Sequence, residues 1–300
     1  MSAVVQPEPE RGLRKSLKVL RAGPFRRYMI GESLSTTGTW MQLMAEGWVM
    51  TSLTSSAFMM GLVTFATGMP MLLLTMYGGS IADRFDKRNI LLITQVAQIL
   101  LAATMGVLVY TQTVQIWHVV LVAACLGTVN AFEMPAVSAL VPELVSREEI
   151  GDAMAVDRSS FHTTRLVGPA IAGFVIGQFG AAVAFFANAL SFIPLMLALR
   201  TISPRAVGNE EEEAARQTGF MDGVAYVKSD APTVAMISMM ALMTCFPAPV
   251  LMVLLPLYSR TELHLGATGM GLMMSVNAAG ALLGSVWLLG VAPEKRFARL

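Results

Sequence analysis

Between two long apolar runs the chain reads Gly79-Ser80-Ile81-Ala82-Asp83-Arg84-Phe85-Asp86-Lys87-Arg88. One apolar run ends at this glycine, and the next begins after the last arginine. The stretch holds two acidic and three basic side chains, which are stable in water and costly in hydrocarbon. It therefore predicts a short charged turn that joins two membrane-spanning helices.

The composition supports a membrane environment. Of the 300 residues, 55% are hydrophobic and 14% are charged, whereas about 25% of the residues of a soluble domain are charged. Runs long enough to cross roughly 30 Å of hydrocarbon lie at about 28–51, 57–80, 89–110, 116–141, 153–177, 181–199, 233–258 and 267–291. We therefore expect an all-α membrane protein with eight spans.

Basic residues mark one side of the predicted membrane. They precede span 1, follow span 8 and occupy the connections between spans 2 and 3, 4 and 5, and 6 and 7. The loops near 52–56, 111–115 and 178–180 carry no charge, and Arg260 is the one arginine or lysine on that side. The positive-inside rule then places both ends of the chain in the cytoplasm.

A polar stretch divides the spans into six and two. The predicted organisation is a basic cytoplasmic segment at 1–24, a six-helix bundle at 25–200, a cytoplasmic linker at 201–232 and a partial second bundle at 233–300. Met60-Gly61-Leu62 opens span 2 and Met270-Gly271-Leu272 opens span 8, and a basic cluster follows each span. Such a repeat is typical of carriers built from two six-helix units. Spans 7 and 8 are then the first two helices of the second unit, and we expect four more.

Span 1 is unusually polar. With about 100° between successive residues, one third of its circumference carries Glu32, Ser35, Thr36, Thr39, Gln42 and Glu46. Such a stripe is costly against lipid and suits the wall of a water-filled cavity. For Glu46 a position at the membrane interface is an equally good interpretation.

Span 5 carries Arg158, His162 and Arg165 on one face. Arg165 falls near the middle of the bilayer, where an unpaired guanidinium is costly, so we expect a carboxylate partner. Glu133 in span 4 lies at a compatible depth, which predicts a Glu133–Arg165 or Glu133–Arg158 pair. The pair would tie two helices together. Alternatively, Glu133 or Glu32 binds a proton during transport, and His162 either joins a proton relay or bonds a neighbouring helix.

Small residues predict close helix packing. The expected contact positions are Gly78, Gly79, Gly173-x-x-x-Gly177 and Gly280-x-x-x-Gly284. Gly168 and Pro169 predict a bend in span 5. Three further prolines, Pro247, Pro249 and Pro256, predict kinks in span 7.

Four stretches resemble the major facilitator superfamily, most closely its enterobactin-exporter-like branch. They are Arg26-Arg27-Tyr28, the 79–88 turn, 130–136 with 141–145, and Arg165-Leu166-Val167-Gly168-Pro169-Ala170-Ile171-Ala172-Gly173. The resemblance extends from about Leu20 to Leu300. Asp86 stands where the family usually has glycine, which predicts a looser turn, and Thr164 and Ala172 replace two glycines of the antiporter motif.

The resemblance implies a secondary transporter of the inner cell membrane that exports a siderophore- or drug-like solute. Proton antiport and alternating access are the implied mechanism. Gly79, Asp83, Arg84, Lys87 and Arg88 are then a conformational latch, with Asp83 meeting helix 11, a helix beyond the eight spans. The alternative is that this turn only sets the topology.

Several other chemistries have no support in the sequence. No phosphate-binding loop, His-Glu-x-x-His or Gly-x-Ser-x-Gly motif occurs, so we expect neither an enzyme nor a cofactor nor a metal site. No aromatic residues interleave the basic ones, which disfavours nucleic acid. The expected partners are a small-molecule solute, protons and the lipid bilayer, with a monomer if the chain is complete. Two alternatives remain: an incomplete carrier without transport of its own, and a membrane scaffold that binds another protein.

Overall fold

The computed structural model describes residues 17–202, 229–245 and 250–289, and all regular structure within them is helical. Helices α1 to α6 are Gly23–Leu53, Ala57–Arg84, Lys87–Tyr110, Ile116–Glu143, Ile150–Phe179 and Ala181–Thr201. Helices α7, α8 and α9 are Ala231–Cys245, Leu255–Thr261 and Ala267–Leu289. Two 3-10 turns, Leu17–Arg21 and Arg147–Glu149, and a π-helical turn, Val250–Leu254, complete the described structure. The predicted all-α fold is confirmed.

Five of the described helices are long and apolar enough to cross a membrane: α2, α3, α4, α6 and the Ala267–Gly284 part of α9. Helices α1 and α5 contain 31 and 30 residues and are therefore also long enough, but they carry the polar stripe and the arginines. Outward-facing side chains are large and apolar, for example Leu72, which is 74% exposed, and Ile93, which is 70% exposed. Such a surface is suited to lipid rather than water.

The described residues of the seventh predicted span, 233–245 and 250–258, belong to α7, a π-helical turn and α8. Helix α7 ends at Cys245, and a π-helical turn precedes α8. Pro256 stands in the first turn of α8. Backbone N–H groups in the first turn have no acceptor within the helix, so the N–H that proline lacks costs no hydrogen bond there. Pro247, Pro249 and most of the predicted linker at 201–232 lie outside the described residues.

Short polar side chains begin several of the helices. Ser56 accepts a hydrogen bond from the backbone N–H of Met59 at the start of α2. Asp86 accepts one from Arg88 N at 2.8 Å at the start of α3. These contacts satisfy backbone donors that the first helical turn leaves free. A single residue, Gly180 with φ 85°, joins α5 to α6, and this left-handed conformation suits glycine.

Two buried apolar clusters lie at opposite ends of the bundle. The first joins the starts of α1, α3 and α5 to the ends of α2, α4 and α6, and includes Phe25, Leu91 and Leu140. Because Arg84, Lys87, Arg88, Arg147 and Arg200 lie near the same helix termini, we name this the basic end. The second cluster includes Met44, Met105, Phe185 and Met270, and it marks the far end.

Helix packing places α1, α4 and α5 around a common interior. The most extensive contacts join α2 with α4 and α1 with α6. Helix α3 lies against α4 and α6, whereas α5 packs against α1 and α9. Gly173 and Gly271 allow the last contact, since a Cβ added to Gly173 would lie 2.8 Å from the carbonyl oxygen of Ala267.

Candidate functional site

A cavity of about 260 Å³ lies between α1, α3, α4 and α5, and we call it the first cavity. Its lining reaches from Val141 and Met154, near the basic end, to Thr39 and Gln98 at mid-bundle. Its polar residues are Glu32, Ser35, Thr36, Thr39, Gln98, Asn130, Glu133, Ser138, Asp157, Arg158 and Ser160. The hollow is large enough to admit a small polar solute.

Three carboxylates face the first cavity, and each comes from a different helix. Glu32 of α1 accepts a hydrogen bond from Thr36 Oγ1 at 3.2 Å. Glu133 is in α4 and Asp157 is in α5, where Arg158 follows it as the one basic residue of the described lining. Three acids against one base make the cavity acidic when its carboxylates are ionised.

Glu133 is held by amides rather than by a cation. Gln95 Nε2 donates to Glu133 Oε1 at 2.6 Å, and Gln98 Nε2 donates to Oε2. The two glutamines stand three residues apart on α3, so their side chains extend from one face of that helix. Both carboxylate oxygens therefore have neutral donors.

The predicted Glu133–Arg165 pair does not form. Arg165 lies with its guanidinium carbon 5.5 Å from the ring centroid of Trp40 and lines a separate hollow. Arg158 shares the first cavity with Glu133 without making an ion pair to it among the described residues. The prediction considered α4 and α5 alone, whereas the partners come from α3. Two glutamines three residues apart in an otherwise apolar span were the available signal.

The polar stripe of α1 divides into two parts. Glu32, Ser35, Thr36 and Thr39 line the first cavity, but Gln42 and Glu46 do not. The reason is length, because 14 residues of helix separate Glu32 from Glu46 by about 21 Å along the axis. The stripe therefore passes beyond the first cavity toward the far end.

Gln42 and Glu46 belong to a buried hydrogen-bonded chain. Asn188 Nδ2 of α6 donates to Gln42 Oε1 at 2.6 Å, and Gln42 Nε2 donates to Glu46 Oε1 at 2.7 Å. All three side chains are buried, and Glu46 is only 7% exposed. Glu46 is therefore enclosed by the protein rather than exposed on the outside of the bundle. Its carboxylate instead borders a second cavity of about 270 Å³ at the far end, which methionines from α1, α2 and α9 also line.

His162 lies outside both cavities. It is exposed, and its ring centroid lies 5.8 Å from that of Phe161. Although it shares a helix with Arg158 and Arg165, the structure does not bring the three side chains to one site.

The 79–88 turn connects helices within the six-helix bundle. Lys87 Nζ lies 2.5 Å from Glu143 Oε1 at the end of α4, and Arg88 Nη2 donates to Arg200 O at the end of α6 at 2.8 Å. Asp83 and Arg84 are exposed. The predicted looser turn at Asp86 is instead a helix cap, because a carboxylate there accepts from the backbone of α3.

The glycines of the site have different surroundings. A Cβ added to Gly78 would clash with the carbonyl oxygen of Ala131, whereas one added to Gly79 would meet no atom within 4 Å. Helix α5 continues unbroken through Gly168 and Pro169. A Cβ added to Gly168 would lie 2.5 Å from Trp40 Cβ, so α1 and α5 approach closely there. Gly280 and Gly284, predicted as packing positions, have no neighbour within 4 Å of an added Cβ among the described residues.

Known proteins with related sequences support the same architecture. A sequence model of the transmembrane secretion effector family, within the major facilitator superfamily, matches residues 15–291. The chain belongs to this family. It is therefore a member of the major facilitator superfamily, and it is a multi-pass membrane protein. The predicted family and fold class are confirmed.

Two curated relatives indicate the range of the family. The chain is 33% identical over 166 residues to the staphyloferrin A transporter of Staphylococcus aureus (strain NCTC 8325 / PS 47). The aligned region covers 54% of this chain and 41% of that protein. It is 24% identical over 289 residues to the multidrug efflux pump Tap of Mycolicibacterium fortuitum, covering 92% of this chain and 68% of the pump. The chain thus spans less than half the length of the first relative.

A solved structure shares the fold. It is the crystal structure of a bacterial homologue of the human lysosomal transporter Spinster, in an inward-facing and unoccupied conformation. The TM-score is 0.74 at 13% sequence identity, and the match covers 94% of this chain and 64% of that one. At this identity the likeness concerns the fold alone.

Proposed function

We propose that this transporter exports a small organic solute through the first cavity, driven by proton antiport. The observation that carries the proposal is Glu133, a cavity carboxylate held by two neutral amides. A carboxylate paired with arginine is stabilised as an anion. Because Glu133 makes no ion pair among the described residues, it can take up a proton and thereby remove a buried negative charge.

Glu32 is the proposed second proton carrier. It faces the same cavity from α1, and its one hydrogen bond comes from a neutral hydroxyl, that of Thr36. Protons and solute would then compete for binding in the first cavity, which is the simplest basis for antiport. Thr39, Asn130 and Arg158 supply further polar contacts for the solute.

The solute class rests on the relatives. One is named for the siderophore staphyloferrin A and the other for multidrug efflux. We therefore place the solute among siderophore- or drug-like organic molecules. The charge pattern supports an inner cell membrane with the basic end in the cytoplasm. The chain would then comprise a six-helix unit and the first helices of a second unit.

Flux measured in proteoliposomes tests the role of Glu133. Replacing Glu133 with glutamine keeps the shape of the side chain and removes its proton-binding site. Efflux of staphyloferrin A or ethidium should therefore lose its response to a pH gradient, while folding is retained. Glu148→Gln is the matched control, because Glu148 is exposed at the basic end outside the described cavities.

The outcomes separate the candidate functions. An unchanged response to the pH gradient in Glu133→Gln refutes the coupling role of Glu133. Gradient-independent flux in the unaltered protein refutes antiport altogether. Zero flux with folded protein favours the incomplete carrier or the scaffold, and a stable partner recovered with the purified chain distinguishes the scaffold.

A further inference from the structure

The hollow that contains Arg165 is lined by three side chains with N–H groups. Trp40 comes from α1, Arg165 from α5 and Asn277 from α9. The other described lining residues are Pro169, Met252, Leu255 and Met274, none of which carries charge. The volume is about 20 Å³, enough for one small group rather than a whole solute.

Arg165 has no acceptor in the described part of the chain. Its guanidinium lies against the Trp40 ring, and it makes neither a hydrogen bond nor an ion pair there. The residue is at the middle of the 30-residue α5, and it is partly buried. A guanidinium carries five N–H donors, and leaving them without partners at this depth is costly.

A second donor beside it also has no acceptor. Trp40 Nε1 is buried without a hydrogen-bond partner, although buried indole N–H groups usually find one. Two neighbouring side chains therefore carry donors without an acceptor among the described residues. The third, the amide of Asn277, borders the same hollow from another helix.

A second arginine that stacks on a tryptophan ring does have hydrogen-bond acceptors. Arg260 lies 4.8 Å from the ring centroid of Trp48. It donates to Thr51 Oγ1 at 3.1 Å and to the carbonyl oxygen of Trp48 at 3.5 Å. Arg260 thus has oxygen acceptors on the protein, whereas Arg165 has none in the part of the chain that the structure describes.

We infer that Arg165, Trp40 and Asn277 bind a carboxylate group of the solute, which makes the solute class anionic. The inference rests on the proposed function in taking the ligand to be the exported solute. A carboxylate offers two oxygens to the planar guanidinium and can accept from the indole and amide N–H groups as well. Its small volume suits the hollow.

The position of the hollow fits a group at one end of a larger molecule. Phe161 lines the first cavity and packs edge-on against Trp40, with ring centroids 5.8 Å apart. The hollow and the first cavity therefore approach each other where these two rings meet. The body of the solute occupies the first cavity and its carboxylate reaches Arg165. Asn277 adds a contact from α9, so the bound carboxylate joins the six-helix bundle to a later helix.

Calorimetric titration of the 300-residue chain in lipid nanodiscs tests the inference, with citrate as the carboxylate probe in chloride-free buffer. Citrate should bind and its uncharged triethyl ester should not. Arg165→Gln should weaken citrate binding by about 10- to 100-fold, since charge-assisted hydrogen bonds are lost. Arg165→Lys keeps the charge but loses the planar guanidinium. It should bind citrate more weakly than the unaltered protein and more tightly than Arg165→Gln. Arg260→Gln is the matched control and should bind like the unaltered protein.

Every outcome decides the matter. Equal citrate affinity in Arg165→Lys and the unaltered protein, or an equal loss in Arg260→Gln, overturns the site. Should Arg165→Gln fail to fold, Arg165→Lys and Asn277→Leu carry the comparison. Chloride binding that depends on Arg165, without citrate binding, overturns the solute carboxylate in favour of an inorganic anion. Arg165-dependent citrate binding with zero flux supports the site and refutes the transport proposal, so the two failures are distinguishable.

Discussion

The two ends of the bundle are held together by different kinds of contact. At the far end, α5 and α9 meet backbone to backbone at Gly173 and Gly271, and Thr268 Oγ1 donates to Gly173 O at 3.2 Å. At the basic end, Lys87 and Arg88 reach α4 and α6 with long polar side chains. The backbone contact of α9 with the first six helices thus lies at the far end, and the first cavity lies toward the basic end.

This difference shows which contacts join α9 to the first six helices and which act within those six. Dispersion contacts between helices act only at close range, so the far end holds while it stays packed. The basic-end ties are within the six-helix bundle and do not involve α7 to α9 in the described contacts. The close contact between α9 and the first six helices at Gly271 is therefore at the far end, whereas the two basic-end ties hold only the first six helices together.

The largest expected effect comes from disrupting the far-end contact. Gly271→Leu places a side chain against Pro169 O and Gly173 Cα. We expect a loss of about 3 kcal/mol in the free energy of unfolding, as overpacking of a tight contact produces. Denaturant titration in detergent measures it, with solute flux as a second readout.

Gly280→Leu, on the same helix, is the control for Gly271→Leu. A Cβ at Gly280 meets nothing within 4 Å among the described residues, so the stability should change by less than about 0.5 kcal/mol. Equal losses in the two variants would show that α9 does not pack through Gly271.

A smaller effect is expected from two adjacent glycines near the basic end. Gly78→Ala forces α2 away from the Ala131 carbonyl of α4 and should cost about 2 kcal/mol of unfolding free energy. Gly79→Ala has open space and should stabilise α2 by about 0.5 kcal/mol, because alanine is the better helix former. Thermal denaturation of both variants measures the difference. Identical melting temperatures would refute the close α2–α4 approach at Gly78.

The smallest effect is expected from the basic-end ion pair. The side chains of Lys87 and Glu143 are 20% and 14% exposed, so solvent and salt still reach them. Lys87→Gln should lower the unfolding free energy by less than about 1 kcal/mol, and high salt should reduce the difference. Lys87→Arg keeps the charge and is the control. A loss as large as that of Gly271→Leu would mean that both ends are tied equally strongly.

The presence of membrane-length helices could be predicted from the sequence, because a long apolar run is recognised from its composition alone. Contacts between helices were less predictable. Gly173-x-x-x-Gly177 and Gly280-x-x-x-Gly284 have the same spacing, yet only the first faces a neighbouring helix among the described residues. A spacing tells which residues share a face but not which face has a neighbour.

The site shows the same limit. Periodicity placed Glu32 and Glu46 on one stripe of α1, but the first cavity ends before Glu46, and periodicity could not show that Asn188 of α6 bonds Gln42 there. Glu133 was recognised as a cavity carboxylate, and its partners were not, since they depend on the rotation of α3 about its axis. Asp157 and Ser160 were missed because nothing in their local sequence distinguishes them.

Gly180 alone connects α5 to α6, so the end of α5 and the start of α6 cannot move far apart. A tilt of α5 must carry α6 with it, and α6 in turn lies against α1 at Gly31 and Gly38, where an added Cβ would collide with Leu195 and Asn188. A movement of any one of these three helices therefore displaces the other two. A displacement of α5 at Arg165 would therefore move all three helices rather than being accommodated by a bend in α5.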